Sequence, residues 1–141
     1  MERIIQGRAI VAGEAEGELL ASTQPLSFWG GYDHKTGEII DRRHPLSGQI
    51  AAGRILAIPN TVGSSTTTAV LLEAVRAGTA PVAILTTSTD AFLALASIVA
   101  AELYNRPIPI VALTPNQFEE LASIKMIRVR QDATILLTPF S

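Results

Sequence analysis

The sequence contains no cysteine and only two histidines among its 141 residues. Without cysteine the chain can form no disulfide, offers no thiolate nucleophile and cannot ligate an iron–sulfur cluster through its own sulfur atoms. Two histidines, His34 and His44, are too few for a protein zinc site of the usual kind. We therefore expect no metal ligand in this chain, and we expect any metal chemistry to come from another molecule.

Basic clusters and long apolar segments are also missing. The formal net charge is −2, and no block of lysine and arginine is interleaved with aromatic residues, so the sequence does not predict nucleic-acid binding. No apolar run approaches the roughly 20 residues that a membrane-spanning helix needs. The first residues, MERIIQGR, include no signal-type apolar segment. We expect a cytoplasmic protein with neither a nucleic acid nor a membrane as its partner.

The residues that are present predict one folded domain. Apolar residues make up 48% of the chain and charged residues 17%, a balance typical of a folded protein. A chain of 141 residues has the usual size of a domain with a single core. We predict a single domain over residues 1–141.

Apolar periodicity and turn residues predict an α/β fold. Residues 3–21 predict two short strands with a tight connection. The other predicted elements are strands at 37–40 and 53–59, a helix at 64–77 closed by Gly78, a strand at 81–87, a helix from Asp90 to about Tyr104, a strand at 107–113, a short helix at 117–123, and a closing pair of strands at 126–130 and 133–138. The strand–helix order in residues 54–113 requires a parallel sheet with right-handed crossovers. With the N-terminal third as a β layer packed on that sheet, the fold is a β/β/α domain.

One segment, NTVGSSTTTAV at residues 60–70, places an excess of hydroxyl groups where a strand leads into a helix. A helix start needs one capping hydroxyl, and serine is a favoured N-cap, whereas residues 64–68 supply five hydroxyls. Threonine is also a poor helix former. Two interpretations remain open. Either Ser64 caps the helix, or a hydroxyl of this turn binds an anion or does chemistry at the positive end of the helix.

Two common motifs do not fit this turn. A nucleotide-binding P-loop requires a lysine after its second glycine, and a hydrolase nucleophile elbow requires a glycine two residues on either side of the serine. A serine that acts as a base also needs a stabilised alkoxide, because its hydroxyl is protonated at neutral pH. A catalytic Ser64 therefore implies assisting groups from outside this segment.

A second cluster of polar and aromatic residues lies in SFWGGYDHKTGEIIDRRHPLSG, residues 27–48. Trp29 is the only tryptophan, and Gly30 and Gly31 after it permit close approach of a ligand or another chain. The alternative is that the tryptophan covers the edge of the core and the glycines form a turn.

The same segment ends in Asp41-Arg42-Arg43-His44, which combines a carboxylate, two guanidinium groups and an imidazole. Such a cluster is often a solvated loop. The functional interpretation is that Arg42 or Arg43 pairs with a carboxylate or phosphate of a substrate.

Taken together, three stretches carry a resemblance to a known family. They are GRAIVAGEAEGELLAS, PLSFWGGYDHKTGEIIDRRHPLSG and GRILAIPNTVGSSTTTAVLLEAVRAGTAPVAIL, and they cover most of the chain. On these residues the chain resembles the small subunit of the aconitase X family, and the middle stretch is the most specific of the three. Members of this family resemble the swivelling fourth domain of aconitase, a β/β/α fold with a Gly-Ser-Ser turn.

The resemblance implies a catalytic role for the turn. The first serine of the turn in aconitase is the base that removes a proton from carbon during dehydration, and at this position the chain has Ser64, with Gly63 and Ser65 as implied substrate contacts. Trp29 with its two glycines, and His44, are expected to line the cleft or the subunit interface.

The resemblance also implies a division of labour between two chains. The family's large subunit holds an iron–sulfur cluster whose Lewis acidity helps the hydroxyl leave. The chain is then expected to be a hydro-lyase subunit that holds no cofactor itself and is active only with a large subunit. Bacterial members dehydrate cis-3-hydroxy-L-proline and archaeal members dehydrate mevalonate 5-phosphate. The SFWGG form and the segment AAELYNRPIPIVAL resemble the bacterial branch.

The chain departs from the family pattern at the turn itself. Asn60-Thr61-Val62-Gly63 replaces the more usual Ser-Gly-x-Gly, so one glycine is lost, and Thr66 follows the serines where aconitase has an arginine. An anion clamp must then come from Arg42, Arg43 or the large subunit.

Two other classes of function remain as alternatives. A phosphohistidine carrier domain would need a histidine beside the Gly-Ser turn, and neither histidine lies near it in sequence. A non-catalytic anion-binding module would use only the helix entrance at Ser64.

Overall fold

The computed structural model describes residues 3–62 and 65–140. In chain order the elements are β1 (Arg3–Gln6), β2 (Arg8–Val11), β3 (Ala15–Ala21), the short helical turn α1 (Phe28–Gly31), β4 (Tyr32–Asp33), β5 (Glu38–Ile39), β6 (Ile55–Ala57), α2 (Ser65–Ala77), β7 (Ala83–Thr86), α3 (Ala91–Tyr104), β8 (Ile110–Ala112), α4 (Pro115–Glu119), a 3-10 helix (Glu120–Ser123), β9 (Ile124–Val129) and β10 (Thr134–Pro139).

The centre of the fold is a parallel arrangement of β3, β6, β7 and β8. One row across it joins Leu20, Leu56, Ile84 and Ile110 as paired residues. All four side chains are buried in the cluster that α2 and α3 cover. The predicted parallel sheet is therefore confirmed, and its strands β6, β7 and β8 are buried on both faces, as parallel strands usually are.

The opposite face of the sheet packs on the antiparallel strands. Ile55 and Leu85 share a second core cluster with Ile127 and Ile135 of β9 and β10, and Phe118 of α4 packs into the same cluster. The layers are thus helices, parallel strands and antiparallel strands. This arrangement confirms the α/β fold class.

A single residue joins the two ends of the sheet. β1 and β2 stand at opposite ends of the strand order, yet only Gly7 separates them along the chain. A Cβ on Gly7 would lie 2.3 Å from Cγ1 of Val111 in β8, so only glycine fits there without displacement. The Gly7 N–H donates to the Ala133 carbonyl at 3.0 Å. The sheet consequently curls into a near-barrel.

The structure corrects two details of the sequence-based expectation. Residues 3–21 form three strands rather than two, and these strands pair with different partners instead of with each other. The β layer that packs on the parallel strands comes mainly from β9 and β10, and the N-terminal third adds only β1 and the first half of β3 to it.

The helix boundaries follow local signals. Helix α2 is followed by Gly78 at φ 78°, and Asp90 caps α3 by accepting from the N–H groups of Phe92 and Leu93, both as predicted. The short helix begins at Pro115, earlier than predicted, because Thr114 and Gln117 form a capping box. Within the described ranges, no helix is long and apolar enough to cross a membrane.

Candidate functional site

The loop after β6 leads toward the Gly-Ser-Ser turn and is fixed by hydroxyl groups of the next strand. The Pro59 carbonyl accepts hydrogen bonds from Oγ1 of Thr86 at 2.7 Å and from Oγ1 of Thr87 at 3.0 Å. The Thr87 N–H also donates to this carbonyl at 3.1 Å. The carboxyl ends of β6 and β7 are thereby tied together, at the edge of the sheet where α/β proteins commonly bind ligands.

The carboxylate of Asp90 fixes the same loop from the helix side. One of its oxygens caps α3 through the N–H groups of Phe92 and Leu93, at 3.0 and 3.1 Å. The other oxygen accepts from the hydroxyl and, at 3.4 Å, from the N–H of Thr61. One side chain therefore sets both the start of a helix and the position of a residue three places before Ser64.

A third segment holds the loop from the opposite side. The Leu26 N–H donates to the Asn60 carbonyl at 3.3 Å, and the Val62 N–H donates to the Leu26 carbonyl at 3.0 Å. This short parallel bridge joins Leu26 with Thr61. Residues 59–62 thus have fixed partners on both sides, although the usual first glycine of the family pattern is absent.

The turn itself is only partly described. Gly63 and Ser64, the predicted substrate contact and base, lie outside the described residues, as does the side chain of Ser65. The flanking parts are Val62 on one side and α2, which begins at Ser65, on the other. The start of a helix carries the positive end of its dipole, and α2 starts directly after the two residues that lie outside the described ranges.

Two of the five hydroxyl-bearing residues at this helix start are accounted for by burial or by a hydrogen bond within the fold. Thr67 is buried, and Oγ1 of Thr68 donates to the Phe92 carbonyl at 2.9 Å, which joins α2 to α3. The excess of threonines is therefore explained in part by helix packing and does not by itself indicate chemistry.

Trp29 is exposed, so the alternative that it covers the core edge is wrong. Its side chain is 68% exposed, while the neighbouring Phe28 is fully buried against Tyr32. Gly30 adopts φ 79°, which favours glycine, and Gly31 packs against Leu26, where a Cβ would lie 3.3 Å from Cδ1. Since Leu26 also bridges to the loop before the turn, the structure places the tryptophan segment beside residues 60–62.

His44 is buried and has a structural role. Its Nδ1 accepts from the Leu46 N–H at 3.1 Å, and its Nε2 lies 3.3 Å from the Gln24 carbonyl. Because Nδ1 accepts this N–H, Nε2 is the nitrogen that donates to the Gln24 carbonyl. His44 thus connects its loop to the segment that contains Leu26, and it does not face a cleft or an interface in the isolated chain.

Arg42 and Arg43 lie exposed in the turn before His44. The Arg43 N–H donates to Oδ1 of Asp41 at 3.0 Å, so Asp41 shapes the turn. In the part of the chain that the structure describes, neither guanidinium takes part in an ion pair. Both are free to meet an anion, on a loop that His44 ties to the neighbourhood of the turn.

One cationic residue near this edge was missed by sequence analysis. Arg8, at the start of β2, donates to Oγ1 of Thr89 at 3.0 Å. It lines an open cavity of about 420 Å³ together with Thr87 and Thr114. Its approach to Thr89 depends on an antiparallel pairing of β2 with β8, which no local pattern around Arg8 indicates.

Ligands for a metal centre are scarce in this chain. The sequence has no cysteine, and among residues 3–62 and 65–140 no three histidine, aspartate or glutamate side chains are grouped as metal ligands.

The fold is a curled α/β domain in which a helix begins at the carboxyl edge of the parallel strands. Residues 4–138 match the family model described as the aconitase X swivel domain. The chain therefore belongs to the aconitase X swivel domain family.

Characterised relatives within this family include dehydratases of two types. The chain is 50% identical over 126 residues to the cis-3-hydroxy-L-proline dehydratase of Pseudomonas aeruginosa, a match that covers 89% of this chain and 22% of that protein. It is 34% identical over 126 residues to the phosphomevalonate dehydratase small subunit of Methanosarcina acetivorans, covering 89% of this chain and 83% of that one. The chain thus spans about a fifth of the first relative, at 22%, and most of the second.

A solved structure agrees with the sequence comparison. The holo-form of Thermococcus kodakaraensis aconitase X superimposes with a TM-score of 0.81 at 31% identity, over 96% of this chain and 98% of that chain. The fold and the family are therefore shared along nearly the whole chain.

Proposed function

We propose that residues 1–141 act as a single swivel domain, the small subunit of a two-chain iron–sulfur dehydratase, and that Ser64 is the base that removes a proton from a small hydroxy acid. The observation that carries this proposal is the fixed approach to the turn. Residues 59–62 are bonded on both sides and end two residues before Ser64, at the positive end of α2. A hydroxyl held there would have its alkoxide stabilised by the helix.

The other polar residues are assigned to substrate binding. Gly63 and Ser65 flank the base and would present backbone N–H groups to the substrate carboxylate. Arg42 and Arg43, which have no ion-pair partner among the described residues, would supply the guanidinium contact in place of the arginine that follows the serines in aconitase. Trp29 would cover the substrate or contact the partner, because its large indole is exposed beside the turn.

The cluster and the rest of the active site are assigned to the partner. Because this chain lacks ligands for a cluster, the large subunit would hold it and complete the cleft. The small-subunit name of the Methanosarcina relative, which this chain matches over most of its length, supports a separate large chain.

The proposed substrate is cis-3-hydroxy-L-proline. Identity supports this choice, with 50% to the Pseudomonas dehydratase and 43% to that of Hypocrea jecorina, against 34% to the Methanosarcina phosphomevalonate subunit. Mevalonate 5-phosphate is the second candidate, because this chain is also 34% identical to the Methanosarcina phosphomevalonate dehydratase small subunit and covers 83% of it.

The test is dehydration by this chain assembled with the aconitase X large subunit of the same organism, assayed on both substrates. Ser64→Ala should lower kcat by about 10²- to 10⁴-fold, the usual contribution of a general base. Thr114→Ala is the matched control, because it also deletes a capping hydroxyl at a helix start and should cost about 1 kcal/mol of stability with little change in kcat. Equal rates for wild type and Ser64→Ala would instead support a capping or anion-binding role.

A further inference from the structure

Helix α3 is apolar on both its faces. Its inner face, with Leu93, Ala96 and Ala100, is buried in the core. Its outer face carries the large apolar side chains Phe92, Leu95, Ile98 and Leu103, which are 37%, 49%, 54% and 64% exposed. A helix that is apolar all round is normally enclosed on every side by protein. The outer face of α3 therefore has the composition of a surface that is covered in the working protein.

Spacing places these residues in one stripe. Positions 92, 95, 98 and 103 lie within about 140° of the helix circumference, given 100° per residue. From Phe92 to Leu103, at 1.5 Å per residue, the stripe is roughly 17 Å long. Glu102 is the only charged residue of the whole helix, so the stripe is essentially neutral.

The neighbouring helix shows that this is not a general property of the helical layer. Helix α2 packs beside α3, yet its outer side carries Glu73 and Arg76, which form an ion pair at 2.8 Å. That surface has the polarity expected of a solvated helix. Within one layer, then, only α3 presents a long apolar outer face.

The stripe starts at the candidate site. Phe92, its first member, accepts a hydrogen bond from Thr68 in the first turn of α2, and it lies two residues after Asp90, which holds the loop before Ser64. Val62, next to the turn, is 53% exposed, and Trp29 belongs to α1, which packs against α2. The stripe therefore begins beside the residues that fix the loop before Ser64.

We propose that the outer face of α3, formed by Phe92, Leu95, Ile98 and Leu103, is the docking surface for the dehydratase's large subunit, and that it meets an apolar, uncharged patch there. This inference rests on the proposed function, since it names where the partner of that site binds. In the Pseudomonas relative the matched region is 22% of the protein, and about four-fifths of that dehydratase therefore lies outside it. The counterpart of that larger region, the large subunit, is the proposed occupant.

The test compares assembly of two surface variants with the large subunit of the same organism. Leu95→Glu combined with Ile98→Glu should weaken the complex at least about tenfold in Kd, as loss of central apolar contacts does, while the isolated chain keeps its thermal midpoint. Ile4→Glu is the matched control, because Ile4 is similarly exposed, at 67%, on β1, and it should leave Kd unchanged. Because the contact is uncharged, the wild-type complex should persist at about 1 M salt, where ion pairs are screened.

The results separate this inference from the proposed function. If wild type assembles and dehydrates substrate but the double variant assembles with unchanged Kd, the docking surface is wrong and the proposed function stands. If the double variant loses assembly while the wild-type complex is inactive on both substrates, the surface stands and the proposed function fails. If the isolated chain is a dimer that the double variant splits, a second copy of the chain occupies the surface and the inference is overturned. The inference is also overturned if the wild-type chain binds no large subunit.

Discussion

Thr61 donates its hydroxyl to the Asp90 carboxylate, which at the same time caps helix α3 through its other oxygen. The contact spans 29 positions in sequence and joins the loop before the turn to the second helix of the layer. The loop is thereby fixed by a side-chain contact in addition to its backbone hydrogen bonds.

This relationship predicts that Thr61→Val will slow catalysis more than it destabilises the fold. Valine keeps the shape of the side chain but removes the donor, so the turn loses its anchor and the base shifts. A misplacement of about 1 Å can cost about 10²-fold in rate, so we expect kcat of the assembled enzyme to fall at least tenfold with a smaller change in KM. Thr61→Ser, which retains the hydroxyl, should restore most of the rate.

A structural control distinguishes positioning from general destabilisation. Ser97 is fully buried and bonds to both the N–H and the carbonyl of Ile108, at 2.8 and 2.6 Å, away from the turn. Ser97→Ala should cost about 1–3 kcal/mol of unfolding free energy with kcat unchanged below the melting range. If Thr61→Val behaves like Ser97→Ala, Thr61 has only a structural role.

Tyr32 predicts a pH dependence of stability. Its hydroxyl donates to the Thr79 carbonyl at 2.6 Å, and burial raises the pKa of the phenol above its usual value of 10.0. The neutral phenol is therefore favoured in the folded state. Its stabilising effect is complete below pH 10, the unfolded pKa, and is lost as pH rises from there toward the folded pKa.

Urea unfolding of wild type and Tyr32→Phe at pH 7 and pH 11 measures this effect. At pH 7 the variant should be less stable by about 1 kcal/mol, because one hydrogen bond is lost. At pH 11 the difference should shrink or reverse, because phenylalanine cannot ionise on unfolding. A constant difference between the two pH values would show that the burial of this phenol is not coupled to its ionisation.

The close contact between Gly7 and Val111 predicts that a side chain at position 7 would disturb closure of the sheet. Alanine at this position would place its Cβ 2.3 Å from Cγ1 of Val111, and we expect Gly7→Ala to destabilise the fold by about 1–3 kcal/mol, the usual cost of overpacking. Val111→Ala removes the clashing atom and should rescue part of the loss in a double-mutant cycle. Additive effects of the two substitutions would contradict the proposed clash.

The exposed arginines predict an effect on substrate affinity. Arg42→Ala or Arg43→Ala should raise KM of the assembled dehydratase about tenfold or more if its guanidinium binds the substrate carboxylate, since charge-assisted hydrogen bonds contribute about 1.5–3 kcal/mol. Arg128→Ala is the matched control, because Arg128 is exposed on β9 and pairs with Glu16 at 3.7 Å. Unchanged KM in both single variants would assign the anion contact to other groups, such as Arg8 or the large subunit.

The sequence predicted those parts of the fold that depend on local signals. Asp90 and Gly78 marked the start of α3 and the end of α2 correctly, because capping involves neighbours in sequence. The sequence predicts two strands within residues 3–21, where the structure has three, because the alternating residues of these strands look alike. The break between β1 and β2 at Gly7 depends on a close contact with Val111, over a hundred residues away. The short helix could have been placed correctly, since Thr114 and Gln117 form a recognisable capping box.

The residue types of the candidate site were predictable from the sequence, but the contacts between those residues were not. The serines and arginines stand out in the sequence, whereas the bonds of Thr61 to Asp90 and of Pro59 to Thr86 arise only when β6 and β7 pair. His44 illustrates the opposite case. The resemblance implies that it lines a cleft or interface, but its ring is buried and bonded to backbone groups, an environment that depends on the fold of two separate loops.

The most direct test of the account is the single-turnover rate of dehydration by the assembled Ser64→Ala enzyme at saturating cis-3-hydroxy-L-proline. If Ser64 is the base, the rate should fall by about 10²- to 10⁴-fold while the Kd of the substrate changes little, because proton removal and binding use different groups. A rate close to that of wild type would contradict the account and leave Ser64 as a helix cap.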